Sequence, residues 1–243
     1  MSRLITVLAI ACTASAADPS PVTYAQLHEA LTKAQGEANG GFSLHMWATV
    51  VDRDGTVVAV AHSGPDRGAQ WPGSRVISAQ KANTANAFSL PGLALSTANL
   101  FSAVQPGGSL YGLQFSNPVD PAVAYRGDGA TFGTPSDPML GGRIGGVNVF
   151  GGGLALYAAD GRTVGGLGVS GDSSTADHNI AWKVRDYLGL DYVPAGVSPT
   201  KDDNIVYDIT AGVSASGWGH PRTTEQAEAV AKDLPKTHPL SRR

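Results

Sequence analysis

The sequence predicts an α+β fold, a single antiparallel sheet with helices packed on it, and three features carry that prediction. Two pairs of strand-like segments each close on a tight-turn dipeptide, Asp54-Gly55 and Asp160-Gly161, so both pairs read as antiparallel hairpins. Helical patterns stand before, between and after these hairpins instead of alternating with single strands. Finally, Gly166-x-Gly168-x-x-Gly171 has the outline of a dinucleotide-binding turn but comes at the end of the domain, where no βαβ unit can follow. Its position excludes a Rossmann fold.

The elements follow in order. Thr23-x-x-Gln26 is a capping box for a helix whose buried stripe is Leu27, Ala30, Leu31 and Ala34. From Phe42, apolar residues alternate with Ser43, His45, Trp47 and Thr49 up to Val50, which predicts a strand. "TVVAVAHS" is its hairpin partner. Ser74 reads as the N-cap of a helix with Ile77, Lys81, Thr84 and Phe88 on one stripe. Residues 109–145 are broken by glycine and proline throughout, and their length predicts a structured functional loop or a lid. Within them Tyr111, Tyr125, Arg126, Asp128 and Arg143 either close over a ligand or make an oligomer contact. A second hairpin leads through the glycines into the helix "TADHNIAWKVRDYLGL", which buries Ile180, Ala181, Val184 and Leu188. The tail from Asp191 is mostly irregular and ends in a short helix carrying Ala227, Val230, Ala231 and Leu234 on one face.

The chain has 243 residues, 42% of them apolar and 15% charged, enough for one sizeable core. A formal charge of −3 with no basic cluster gives no footprint for nucleic acid, and no later run approaches the length of a membrane span. Residues 1–17 read as an export leader, with Arg3 at the positive end, Leu4 to Ala11 apolar, and a small-residue cleavage site at Ala14 to Ala16. That predicts a periplasmic or secreted protein. Cys12, the only cysteine, lies in this leader, so the mature chain has no thiol for nucleophilic, zinc-thiolate, iron–sulfur or covalent haem chemistry. The organisation is then a leader, a domain over 18–190 with an insertion near 109–145, and a C-terminal extension over 191–243.

"VVDRDGTVVAVAHSGP", "SRVISAQKANTANAF" and "GGGLALYAADGRTVGGLGVSGDSSTADHNIAW", in that order, resemble the GlcG/HbpS family, over about residues 22–190. This is the haem-binding, sometimes haem-degrading, domain also found at the C-terminus of a corrinoid adenosyltransferase. The resemblance implies a profilin-like layering, non-covalent haem binding and assembly into homo-oligomers. The insertion, the tail and Asp177-His178 in place of an acidic pair depart from the family pattern.

The residues allow two chemistries. His178 lies in the first turn of its helix, where the dipole favours a neutral imidazole able to ligate haem iron. Trp182 and Arg185 share its face, offering an aromatic ring and a cation for a porphyrin with propionates; Lys81 is a second cation. His28 is the nearest counterpart of the helix histidine that the family resemblance implies, and His45 is a further candidate ligand. Alternatively, Ser170 and Gly171, with the amides of the following helix start, form an anion nest for a small organic acid. Asp177, His178 or Lys81 would then act as acid or base in a cofactor-independent enzyme. His62, His220 and His238 form no ligand spacing, and no zinc site is visible.

Overall fold

The computed structural model describes residues 21–242; the leader and Cys12 lie outside them. Helix α1 (Tyr24–Gln35) is followed by β1 (Trp47–Asp52), β2 (Val57–His62) and α2 (Ser74–Ala87). Single-turn helices α3 (Leu113–Ser116) and α4 (Pro121–Ala124) fall within residues 109–145. Then come β3 (Gly153–Tyr157), β4 (Thr163–Ser170) and α5 (Ser174–Tyr187), and beyond them a small hairpin, β5 (Ile209–Thr210) and β6 (Val213–Ser214), and helix α6 (Glu225–Thr237). The main sheet has the order β2-β1-β4-β3 with every pair antiparallel. The fold is α+β, and the sheet is covered on both faces.

Strand alternation decides which residues meet which layer. Ala48 and Val50 of β1 and Leu167 and Val169 of β4 face α1 and α5, joining Leu27, Leu31, Ile180, Trp182 and Val184 in the larger core. Trp47 and Val51 point to the other face, against Val76, Ala79 and Ala82 of α2 and against Met139 and Ile144 of the 109–145 segment. On that face Thr49 is paired with Gly168 and Val51 with Gly166. A Cβ on Gly168 would sit 1.9 Å from the Ser78 carbonyl oxygen, and one on Gly166 would sit 2.3 Å from that of Ala82. The glycines therefore let α2 lie directly on the β4 backbone, which accounts for a motif that mimics a nucleotide loop.

Two local expectations are corrected. The first strand begins at Trp47, because Ser43 takes a left-handed φ of 58° and the Phe42 and Leu44 N–H groups donate to the Asp172 carboxylate instead of a strand partner. Helix α2 is capped at Gly73, and Ser74 is its first helical residue.

Residues 109–145 pack as a structured segment. The Val57 N–H donates to the Gly142 carbonyl and the Gly141 N–H to that of Val57, which covers the outer edge of β2. The Arg75 guanidinium reaches into the segment, donating from Nε to Asp137 Oδ2 at 2.9 Å and from Nη1 to the Ala124 carbonyl at 2.9 Å. The tail after Asp191 wraps α5. Arg185 and Asp203, both fully buried, form a two-bond ion pair at 2.6 and 2.8 Å, and α6 packs Ala227, Ala231 and Leu234 inward.

Candidate functional site

Lys81, Ser170, Gly171, Asp177 and His178, five of the candidates read from the sequence, fall into a buried group around the start of α5. Lys81 is 1% exposed; its ammonium donates to Asp177 Oδ2 at 2.7 Å and to the Val169 carbonyl at 3.0 Å. Burial pushes the Asp177 carboxyl up to about 6, against the opposing pull of Lys81. The other Asp177 oxygen accepts from the Asp172 N–H at 2.8 Å, and the Asp172 carboxylate in turn accepts from Phe42, Leu44 and Ser173. The Asp172 and Ser173 amides that follow the Ser170-Gly171 turn are thus engaged by the chain's own carboxylates. Ser170 Oγ donates to Ser74 Oγ at 3.3 Å and is 4% exposed, and a Cβ on Gly171 would meet the His45 carbonyl at 2.5 Å. The anion expected for this nest is internal, and so is the anion expected for Lys81.

His178, Trp182 and Arg185 do share one face, but that face is covered by the C-terminal extension. His178 is 0% exposed, and among the described residues neither ring nitrogen meets a partner in full hydrogen-bond geometry, the Asn204 side chain being a polar group that acts on the ring. Burial, reinforced by the charge of Arg185 and by His220, drives its pKa down to about 3, so the ring is neutral as the helix position implies. The Trp182 Nε1–H donates to the His238 carbonyl at 2.9 Å, and Arg185 is held by Asp203. All three side chains are buried, and neither Lys81 nor Arg185 is free for a propionate. His28 is half-buried on α1 with its ring stacked on Tyr24 at 5.7 Å between centroids. His45 precedes the strand and lies half-buried, with Nδ1 3.4 Å from Ser63 Oγ. The structure does not bring these three histidines together, and among the described residues no group of three or more His, Cys, Asp or Glu could hold a metal ion.

An apolar cleft lies elsewhere, between the start of α2 and the insertion. Its volume is about 550 Å³, within the usual range for ligand sites, and Trp47, Pro72, Val76 and Phe132 supply its walls. Arg67 and Tyr125 stand exposed at its border. Arg75 also lines it, but its guanidinium is committed to Asp137 and stacks 3.7 Å from the Phe132 ring centroid. Trp47 is 1% exposed and its Nε1–H has no partner among the described residues. Of the polar and aromatic candidates in the insertion, Tyr125 is at this cleft; Arg126 instead donates to the Pro138 and Leu140 carbonyls and Asp128 caps a helical turn. Sequence reasoning does not single out Trp47 and Phe132 as site residues. The available signal is a tryptophan on the nominally polar side of the first strand, which marks a second buried face.

The chain belongs to a known family. The family model described as "haem degrading protein HbpS-like" matches residues 22–185, two thirds of the sequence. The chain also shows a loose similarity to solved structures. Klebsiella pneumoniae protein ORFY is 26% identical, covering 69% of this chain and 90% of its own, with a TM-score of 0.46. The PduOC:heme complex is 28% identical over 68% and 94%, also at 0.46. A double mutant of Streptomyces reticuli HbpS is 18% identical over 77% and 99%, at 0.44. No curated protein matches. The family match ends at Arg185, so the extension that covers α5 lies beyond it.

Proposed function

We propose that this protein binds haem non-covalently and that the apolar cleft beside the insertion receives it. The observation that carries the reading is a cleft of about 550 Å³ walled by Trp47, Val76 and Phe132 in a chain of the HbpS-like family. A flat macrocycle with two carboxylates needs apolar walls and a nearby cation, and the cleft offers both, with Arg67 exposed and outside any ion pair among the described residues. Of the residues lining it, Tyr125 is of a type that ligates haem iron. When bound, haem would supply redox and oxygen chemistry; the chain's part is to hold it, orient its carboxylates and keep water from one face.

The same reading includes export through the leader and self-association, for sensing, storage or handling of haem outside the cytoplasm. The reading as a small-acid enzyme loses its main support, because Lys81 and the Asp172 and Ser173 amides of the nest are already engaged by Asp177 and Asp172. Hemin titration followed by absorbance tests the proposal. A saturable Soret band is expected, displaced in wavelength by Tyr125→Phe and weakened about fivefold or more by Arg67→Glu. A featureless titration of the native chain would overturn it.

A further inference from the structure

The C-terminal extension brings a histidine onto the start of α5, and the contact has the form of an activated nucleophile. Ser174, the first residue of α5, is half-buried, and its Oγ lies 2.8 Å from Nε2 of His220. His220 Nδ1 lies 2.8 Å from the Pro221 carbonyl oxygen. A carbonyl can only accept, so the ring proton is on Nδ1 and Nε2 is a bare acceptor for the Ser174 hydroxyl proton. His220 is 2% exposed, and its ring orientation is further fixed by the Phe101 ring, edge-on at 5.4 Å. The Gly151 N–H donates to Ser174 Oγ at 2.7 Å, which leaves the oxygen one lone pair for attack. The first-turn N–H groups of Ser174 and Thr175 have no acceptor within their helix and sit at its positive end.

We propose that Ser174 and His220 form a serine–histidine acyl-transfer site, with the Pro221 carbonyl as the group that orients the base, acting on small esters with an apolar acyl group. In the step, Ser174 Oγ bonds to the acyl carbon while its proton passes to His220 Nε2. The alcohol then departs with that proton, leaving an acyl-serine. Water, deprotonated by the same nitrogen, releases the carboxylic acid and restores the hydroxyl. The N–H groups of Ser174 and Thr175 are the donors available to the oxyanion. The apolar preference follows from Phe101 and from Phe150, whose ring centroids are 6.3 Å apart and of which Phe150 is 48% exposed. Burial keeps His220 neutral, with its pKa lowered to about 4, so Nε2 carries no proton at neutral pH. The site is distinct from the cleft and depends on a residue beyond the family match.

The test is a fluorophosphonate probe applied to the full chain, with the adduct mapped by mass spectrometry. One adduct on Ser174 is expected, absent in Ser174→Ala and formed at least about 100-fold more slowly in His220→Gln, which keeps a hydrogen-bonding side chain against the serine. Hydrolysis of a p-nitrophenyl ester should fall in parallel. No adduct on Ser174 of the native chain, or an undiminished labelling rate in His220→Gln, would overturn the proposal and leave the contact as a clasp for the extension.

Discussion

At the scale of single residues, the group around α5 is a set of buried polar side chains with a defined cost. His178 is the clearest case, because a fully buried imidazole with no well-formed hydrogen bond among the described residues carries a desolvation penalty that an apolar ring of similar shape would avoid. Its pKa is about 3 in the folded chain against 6.5 when exposed. The unfolded chain therefore binds the extra proton between those values. The stability tied to this residue is present above pH 6.5 and lost as the pH falls toward 3. At pH 5 the loss is about 2 kcal/mol, from a gap of roughly 1.5 pKa units between that pH and the exposed value. We expect His178→Phe to remove this share of the acid sensitivity, so that its urea midpoint at pH 5 exceeds that of the native chain. An equal drop from pH 7.5 to pH 5 in both proteins would contradict it. A neutral His178 is legible in the sequence from its place in the helix. Its burial is not, because the covering residues come from the tail.

At the scale of elements, the sheet owes its tight α2 layer to Gly166 and Gly168. Gly168→Ala forces a Cβ into backbone atoms of α2, which are held by their own helix bonds and cannot rotate away. Thermal melting should show a loss of about 3 kcal/mol or more, in the upper range of overpacking effects. Gly92→Ala, where an added Cβ meets nothing within 4 Å, should melt like the native chain. Equal behaviour of the two variants would refute close packing as the reason for the motif. The element order is legible because hairpin turns, caps and periodic stripes are local signals. The strand start at Phe42 is misleading because what unpairs that stretch is the Asp172 carboxylate, 130 residues away in sequence. The cleft is illegible for a similar reason, since Trp47 and Phe132 meet only after the insertion folds back on α2.

For the whole molecule, the extension is part of the core. Arg185 Nη1 and Nη2 are satisfied by Asp203, and both side chains are fully enclosed. Asp203→Asn would leave a buried guanidinium without its counter-charge, a loss of roughly 3–5 kcal/mol. For a chain of this size that lowers the melting temperature by roughly 10 °C; an unchanged melt would mean that the tail is only loosely applied. The family match stops at Arg185 itself, so the last matched residue is anchored by a residue outside the match.

The claim that haem enters the cleft beside the insertion, away from His178, is tested most directly by comparing two variants in one hemin titration. Gly73 lines the cleft and an added Cβ there meets nothing within 4 Å, so Gly73→Trp fills the space with little strain. The account predicts a saturable Soret band near one haem per chain in the native protein and in His178→Phe, with binding at least tenfold weaker in Gly73→Trp. Native-like titration of Gly73→Trp, or loss of the band in His178→Phe, would contradict it.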